Sequence, residues 1–192
     1  MAEEIKLPAG PIGIYLSGGS DSAILFWLIA SQRQHDVVLL TVASDDKKFN
    51  VEPALAVVEW VNSNTSVTIL EHRVILAPNL ESRKEHRDRA TDSLTKQWNL
   101  SCWVSGKTRN PDEKLIHHEQ RKQDRDMLMP RVIHNHFYRP FHNINKRHLE
   151  MIYKKYNLNT LHSLTVSCET GHPPCGDCWW CAEREWAFGS YV

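Results

Sequence analysis

The chain has 192 residues, of which 41% are hydrophobic and 24% charged, the composition of a folded domain with a real core rather than of a disordered or fibrous chain. Lys plus Arg and Asp plus Glu are equal at 23 each, so no net charge advertises a polyanionic partner, and no apolar run approaches the roughly 20 residues that span a membrane. The opening MAEEIKLPAG is acidic and without an apolar stretch, so a cytoplasmic location with reduced thiols is expected.

Apolar runs and helical periodicities alternate along the chain. Ile12 to Leu16 predicts a buried strand, and Asp21 to Ser31 a helix with Ile24, Leu25, Leu28 and Ile29 on one face. Val37 to Val42 predicts the second strand, Glu52 to Asn62 a helix with Pro53 in its first turn, and Val67 to Leu76 the third strand. Glu81 to Asn99 is charged and helix-compatible, and Cys102 to Ser105 is a fourth strand ending on Gly106. This β-α-β-α-β-α-β order with short connections predicts an α/β fold, a mainly parallel sheet with helices on both faces. Residues 107–147 break the rhythm, with ten Lys or Arg against five Asp or Glu and five of the eleven His. Lys146 to Tyr156 predicts a helix, Leu161 to Val166 a short strand or extended piece, and the tail from Cys168 a metal-stapled appendage.

Between the first strand and helix stands SGGSDS, Ser17 to Ser22. Ligands of open parallel sheets bind at the carboxyl ends of the strands, where this turn falls. Gly18 and Gly19 let the backbone approach a ligand, successive N–H groups form an anion cradle, and the helix adds its positive end. Ser17, Ser20 and Ser22 carry hydroxyls that can donate to phosphate oxygens. A carboxylate beside phosphates needs an intervening cation, so Asp21 is expected to bind Mg²⁺ or to cap the helix. The turn fits neither the Walker nor the dinucleotide pattern. A plain glycine turn is the bland alternative.

Cys168-x6-Cys175-x2-Cys178-x2-Cys181 brings four thiols to a spacing that surrounds one tetrahedral Zn²⁺. An iron–sulfur cluster is the rival, because it also takes four Cys. Cys102 lies apart and reads as a buried hydrophobe. Trp179 and Trp180, between metal ligands, either stack on a flat base or pack the knuckle onto the domain.

The SGGSDS loop resembles the PP-loop, Ser-Gly-Gly-x-Asp-Ser, of the N-type ATP pyrophosphatases. That resemblance implies cleavage of ATP between its α and β phosphates. It also implies a nucleotide site built from Leu16, Ser17, Gly18, Gly19, Ser20, Asp21, Ser22 and Val42, with Gly106 of WVSGKTRN closing it. The TVSC ending at Cys168, the CGDCWWCAER segment, Pro140, Lys146 and Arg184 are similar to the tail of 7-cyano-7-deazaguanine synthases. The implied reaction adenylates a carboxylate of a deazaguanine-like substrate, releases pyrophosphate and AMP, and uses ammonia as nucleophile. Asp21, Ser22 and Lys146 are the candidate catalytic residues, ATP, Mg²⁺ and a structural Zn²⁺ the implied cofactors. Residues 1–166 would form the ATP domain and 167–192 the zinc appendage packed on it. No glutaminase motif is recognisable, so ammonia comes free or from a partner, and the family often forms homodimers.

The stretch after Gly106 departs from that family where its deazaguanine pocket is shaped, leaving the acceptor open. Lys107, Arg109, Arg121, Lys122 and Arg125 could neutralise a triphosphate, meet a nucleic-acid backbone, or form a solvated face. Two alternatives therefore stand beside the synthase. One is a PP-loop tRNA-base thiolase. The other is a catalytically silent nucleotide-binding module whose knuckle docks a partner.

Overall fold

The computed structural model describes residues 5–45, 50–128, 132–133 and 136–190, the pair 132–133 as backbone only. Among the described residues six strands form one sheet in the order β3-β2-β1-β4-β6-β5. β1 (Ile12–Tyr15) lies at its centre, parallel to β2 (Val37–Ser44) on one side and to β4 (Cys102–Ser105) on the other. β3 (Ile69–Ala77) extends the parallel arrangement beyond β2, and β6 (Phe137–Tyr138) beyond β4. Only the two-residue edge strand β5 (Val132–Ile133) runs antiparallel, against β6.

β1 and β2 are buried on both faces, which is why they read as continuous apolar runs without alternation. One face is covered by α1 (Ser20–Gln32) and α2 (Val51–Asn64), with α4 (Lys146–Lys155) and α5 (Asn159–Ser163) beside them. Their main cluster holds Ile12, Ile14, Val37, Leu39, Phe26, Val57 and Leu149, all at 0% exposure. Each such side chain contributes about 1.5–3 kcal/mol by leaving water. The other face is covered by α3 (Leu80–Trp98), whose Ala90 and Leu94 pack on Val38, Leu40 and Trp103. The Asn79 side chain begins α3 by accepting from Ser82 N at 2.9 Å, and Asn99 ends it in the left-handed region. The last helix, α6 (Trp179–Phe188), packs against α4.

The expected α/β architecture is therefore present, with bounds within one or two residues through β4. At Leu161 to Val166, where a short strand or extended piece is expected, the helix α5 runs to Ser163 and the chain then continues outside any helix or strand. Leu161 is buried among the helices, and Val166 N donates to Gly18 O (3.0 Å) rather than to a strand ladder. The tail carries the helix α6, which begins inside the cysteine cluster and turns Glu183 and Arg184 inward while Glu185 stays exposed. Among the described residues no helix is long and apolar enough to cross a membrane.

Candidate nucleotide site and cysteine knuckle

The chain leaves β1 toward β2 and β3 on one side, then returns to β4 on the other, so the crevice at the end of β1 is the topological switch point. The glycine turn lies there. Gly18 adopts φ +77°, and a Cβ on it would meet Asn50 O at 2.8 Å, so only glycine fits between the loop and the start of α2. Ser22 holds the turn in shape. Its Oγ accepts from Ser17 N (3.1 Å), contacts Ser17 Oγ (3.1 Å) and donates to Gly19 O (3.0 Å). Gly19 precedes α1 with no side-chain cap, which leaves the first-turn N–H groups without intrahelical acceptors at the edge of the crevice.

Above the turn opens a cleft of about 750 Å³. Leu16 and Val42 line it with Ser17, Gly19, Ser20 and Asp21. Gly18 and Ser22 stand behind this surface and shape it. Gly106 acts the same way. A Cβ there would come within 2.4 Å of Asp21 O and 2.6 Å of Asp21 C, so glycine lets the end of β4 press on the first turn of α1. The walls are rich in cations: Arg83, Lys84 and Arg87 from α3, then Lys107, Lys122 and Arg139. Tyr15 and Phe137 supply an aromatic side with ring centroids 5.7 Å apart. Of the five basic residues for which a phosphate contact and a solvated face both stand open in the sequence, Lys107, Lys122 and Arg125 reach the cleft. Arg109 pairs instead with Asp112, and Arg121 with Asp126 at 3.0 Å.

Beneath the loop lies a buried ionic cluster that spans four distant stretches of chain. Lys146, at the start of α4, places Nζ 3.5 Å from Asp21 Oδ1 and 3.2 Å from Glu183 Oε2. Glu183, on α6 and wholly inaccessible, also accepts from both terminal nitrogens of Arg125. Arg125 donates through Nε to Thr108 O (2.7 Å) and through Nη2 to Thr108 Oγ1 (3.0 Å). Thr108 Oγ1 donates in turn to Asp21 Oδ2 (2.9 Å), and Ser20 Oγ to Asp21 Oδ1 (3.1 Å). Burial alone would raise the carboxyl of Glu183, but Lys146 and Arg125 reverse this and hold it below the usual range. Burial also lowers the basicity of Arg125, yet Glu183 more than restores it. Tyr153 OH donates to Ser20 O (2.8 Å) from a fully buried position. Its own ionisation is pushed well above normal by burial and then by Asp21.

Arg184, next to Glu183 and 1% exposed, serves a different purpose. It donates to Thr165 Oγ1 (2.8 Å), Ser167 Oγ (3.4 Å) and His162 O (3.2 Å), tying α6 to the segment that crosses the glycine turn.

At the rim the four tail cysteines converge. Their sulfur atoms lie within 4.8 Å of one another, with Cys168–Cys175 at 3.6 Å and both Cys175–Cys181 and Cys168–Cys178 at 4.0 Å. Four thiolates at about 2.3 Å from one tetrahedral ion stand about 3.8 Å apart, so the set fits a single metal such as zinc. Backbone N–H groups of Thr170 and Cys175 donate to Cys168 Sγ at 3.4 Å, as they would to a thiolate. The fifth cysteine, Cys102, is buried in β4 with its thiol pushed up to about 12 by burial. Trp179 is fully buried, edge-on to His118, whereas Trp180 packs on the cysteine cluster and faces the cleft.

Glu183, Thr108, Arg83, Arg87, Arg139 and Phe137 were not expected at the site. An acidic residue two positions after the candidate metal ligand Cys181 was the available signal for Glu183. The others enter from elements that carry no motif.

No family model matches the chain, and no curated protein matches it. Solved structures do. An NH3-dependent NAD synthetase from Campylobacter jejuni is 20% identical over 80% of this chain and 67% of its own, with a TM-score of 0.48. The U34-tRNA thiolase NcsA from Methanococcus maripaludis, with its 4Fe-4S cluster, is 10% identical over 83% of this chain and 60% of its own, with a TM-score of 0.51. The chain thus spans about two thirds or less of the length of either protein. The likeness to the thiolase is one of fold.

Proposed function

We propose that the protein is an ATP-dependent synthase of the PP-loop type, which adenylates a carboxylate of a flat, deazaguanine-like substrate and passes it to ammonia. The observation that carries the proposal is the glycine turn at the switch point, with Asp21 and a wall of cations facing one cleft. The resemblance of Ser17–Ser22 to the PP-loop supports it, as does the fold shared with a tRNA thiolase.

In this reading the first-turn N–H groups of α1 and the hydroxyls of Ser17 and Ser20 hold the β and γ phosphates. A substrate carboxylate oxygen attacks the α phosphorus, the bond to the bridging α–β oxygen breaks, and pyrophosphate leaves with that oxygen. Lys146 and Lys107 offset the charge that develops on the leaving group. Ammonia then adds to the acyl carbon, AMP departs with the former carboxylate oxygen, and the nitrogen loses a proton to give the amide. A second ATP can activate the amide oxygen in the same way for dehydration to a nitrile. Asp21 would hold a Mg²⁺ ion, which when bound screens the phosphates from the carboxylate. Its fit rests on its cleft-facing position and on lone pairs left over after its two hydroxyl donors. Tyr15 and Phe137 offer a surface for the flat substrate, and Arg87 and Arg139 offer charge for its anion.

The cysteine set would hold one zinc ion with no open position, which makes it structural. A cubane cluster binds each thiolate to a different iron and spreads the sulfurs further than these spacings allow, so the thiolase alternative is less well supported. A cytoplasmic setting, where the thiols stay reduced, goes with this reading.

The test is to incubate the purified protein with Mg²⁺, ATP, ammonia and 7-carboxy-7-deazaguanine. AMP and pyrophosphate should appear together, with an amide or nitrile by mass spectrometry. Release of ADP and orthophosphate would overturn the adenylation reading. AMP formed only with tRNA and a sulfur donor, from a brown iron-containing preparation, would replace it with the thiolase.

A further inference from the structure

Glu183 is set where ordinary packing would place an apolar side chain. It is inaccessible to solvent, and it faces two cations, Arg125 and Lys146. Both carboxylates of the cluster border the cleft, but Asp21 keeps 22% of its side chain exposed whereas that of Glu183 is at 0%. The four groups balance, two positive against two negative. Lys146 Nζ lies nearer to Glu183 (3.2 Å) than to Asp21 (3.5 Å), and Arg125 spends both terminal nitrogens on Glu183. Arg125 reaches Asp21 only through the hydroxyl of Thr108.

We propose that Glu183 is a positioning residue: its charge satisfies Arg125 and Lys146, and so leaves the Asp21 carboxylate available to a divalent cation in the cleft. The inference rests on the ATP reading above and deepens it. A buried cation that loses its partner takes the next anion within reach, because an uncompensated buried charge is costly. Without Glu183 that anion is Asp21. It would be drawn onto Lys146 and away from the cleft, while the cluster would carry a net positive charge toward the phosphates. Loss of Glu183 charge therefore acts in opposite directions on metal and on nucleotide. A merely structural role would weaken both together.

The measurement is binding, not turnover. The probe is α,β-methylene-ATP, which resists cleavage at the relevant bond. Its affinity is read by calorimetry in chelator-free buffer without Mg²⁺ and across a Mg²⁺ titration, for the full chain with its metal content checked. For Glu183→Gln, which keeps the side-chain volume, nucleotide affinity without Mg²⁺ should be equal or tighter. The Mg²⁺ concentration at half effect should rise about tenfold, the size of one modest charge interaction. Adding Arg125→Gln removes one cation together with the anion and should bring the Mg²⁺ requirement back within about threefold of the unaltered chain. An unchanged Mg²⁺ requirement in Glu183→Gln overturns the inference, as does a parallel loss of nucleotide with and without Mg²⁺. If Glu183→Gln does not fold, Glu183→Asp decides. It keeps the charge and should stay within about threefold of the unaltered chain, whereas a tenfold rise overturns the inference. If the unaltered chain binds no nucleotide, the ATP reading itself falls, and this inference with it.

Discussion

The glycine turn at residues 17–22 and the tail at residues 165–188 meet at one cleft, yet they are held by different physics. The turn hangs between β1 and α1, whose apolar residues are almost wholly buried, and Gly18, Gly106 and the Ser22 hydroxyl fix its shape locally, with Val166 N and Tyr153 OH bonded to its carbonyls. The tail has almost no core of its own. Its cluster is Val166, three buried cysteines and the flank of Trp180, and its two innermost charged residues, Glu183 and Arg184, point into the domain. A loop on a packed sheet is rigid by default. A short segment without a core needs cross-links, and here they are four thiols and a set of buried ionic contacts.

The largest expected effect separates these two supports. Structural zinc contributes about 10–16 kcal/mol of apparent binding free energy in small peptide sites. Chelation, or Cys181→Ser, should therefore release the tail while β1, β2 and β4 persist. Hydrogen exchange should show amides of 165–188 losing protection and those of the central strands keeping theirs. Uniform loss along the chain would mean that the two regions fold as one unit.

Next in size comes a pair of glycine substitutions. Gly106→Ala forces a Cβ to 2.4 Å from the Asp21 carbonyl oxygen, and a backbone clash of this kind should cost about 3 kcal/mol and abolish nucleotide binding. Gly171→Ala in the knuckle meets nothing nearer than 3.8 Å and should stay within about 0.5 kcal/mol. Urea midpoints of the two variants compare the regions directly.

A smaller effect concerns the seam between them. His162, whose carbonyl accepts from Arg184, stacks on Phe188 at 4.1 Å. Burial, then Arg184 and Lys146, push its ring down to about 3. The ring stays neutral in the fold at pH values where the unfolded chain, with a pKa of about 6.5, takes up a proton. Stability is therefore fully present above about pH 6.5 and falls as the pH drops toward 3, by about 1.4 kcal/mol per unit from this one group. His72 and His142, both lowered first by burial, act in the same direction. Urea melts from pH 7.5 to 5 should show the slope, and His162→Phe should reduce it by one proton; an unchanged slope contradicts the assignment. The smallest effect is on α3, where the exposed Arg89–Glu85 pair belongs to neither region. Arg89→Ala should shift the melting free energy by less than about 0.5 kcal/mol.

Much of this molecule was legible along the chain, because the signals are local. The alternation of apolar runs dictated the parallel sheet, the Ser-Gly-Gly sequence after Ile12–Leu16 marked the turn at its edge, and the spacing of four cysteines marked the metal-competent cluster. These depend on residues within one element or one turn, where backbone geometry and side-chain period leave few alternatives. What only the tertiary structure decided was who meets whom. Nothing near Glu183 in sequence says that it will lie between Arg125 and Lys146 beneath Asp21, because that placement is set by how α6 packs on α4. The same holds for Arg83, Arg87 and Phe137, brought to the cleft by a helix and a strand with no motif of their own. Leu161 to Val166, which reads as a short strand or extended piece, is helical as far as Ser163, because a short apolar run takes its form from its neighbours, and here those are the helices above it and the glycine turn beside it.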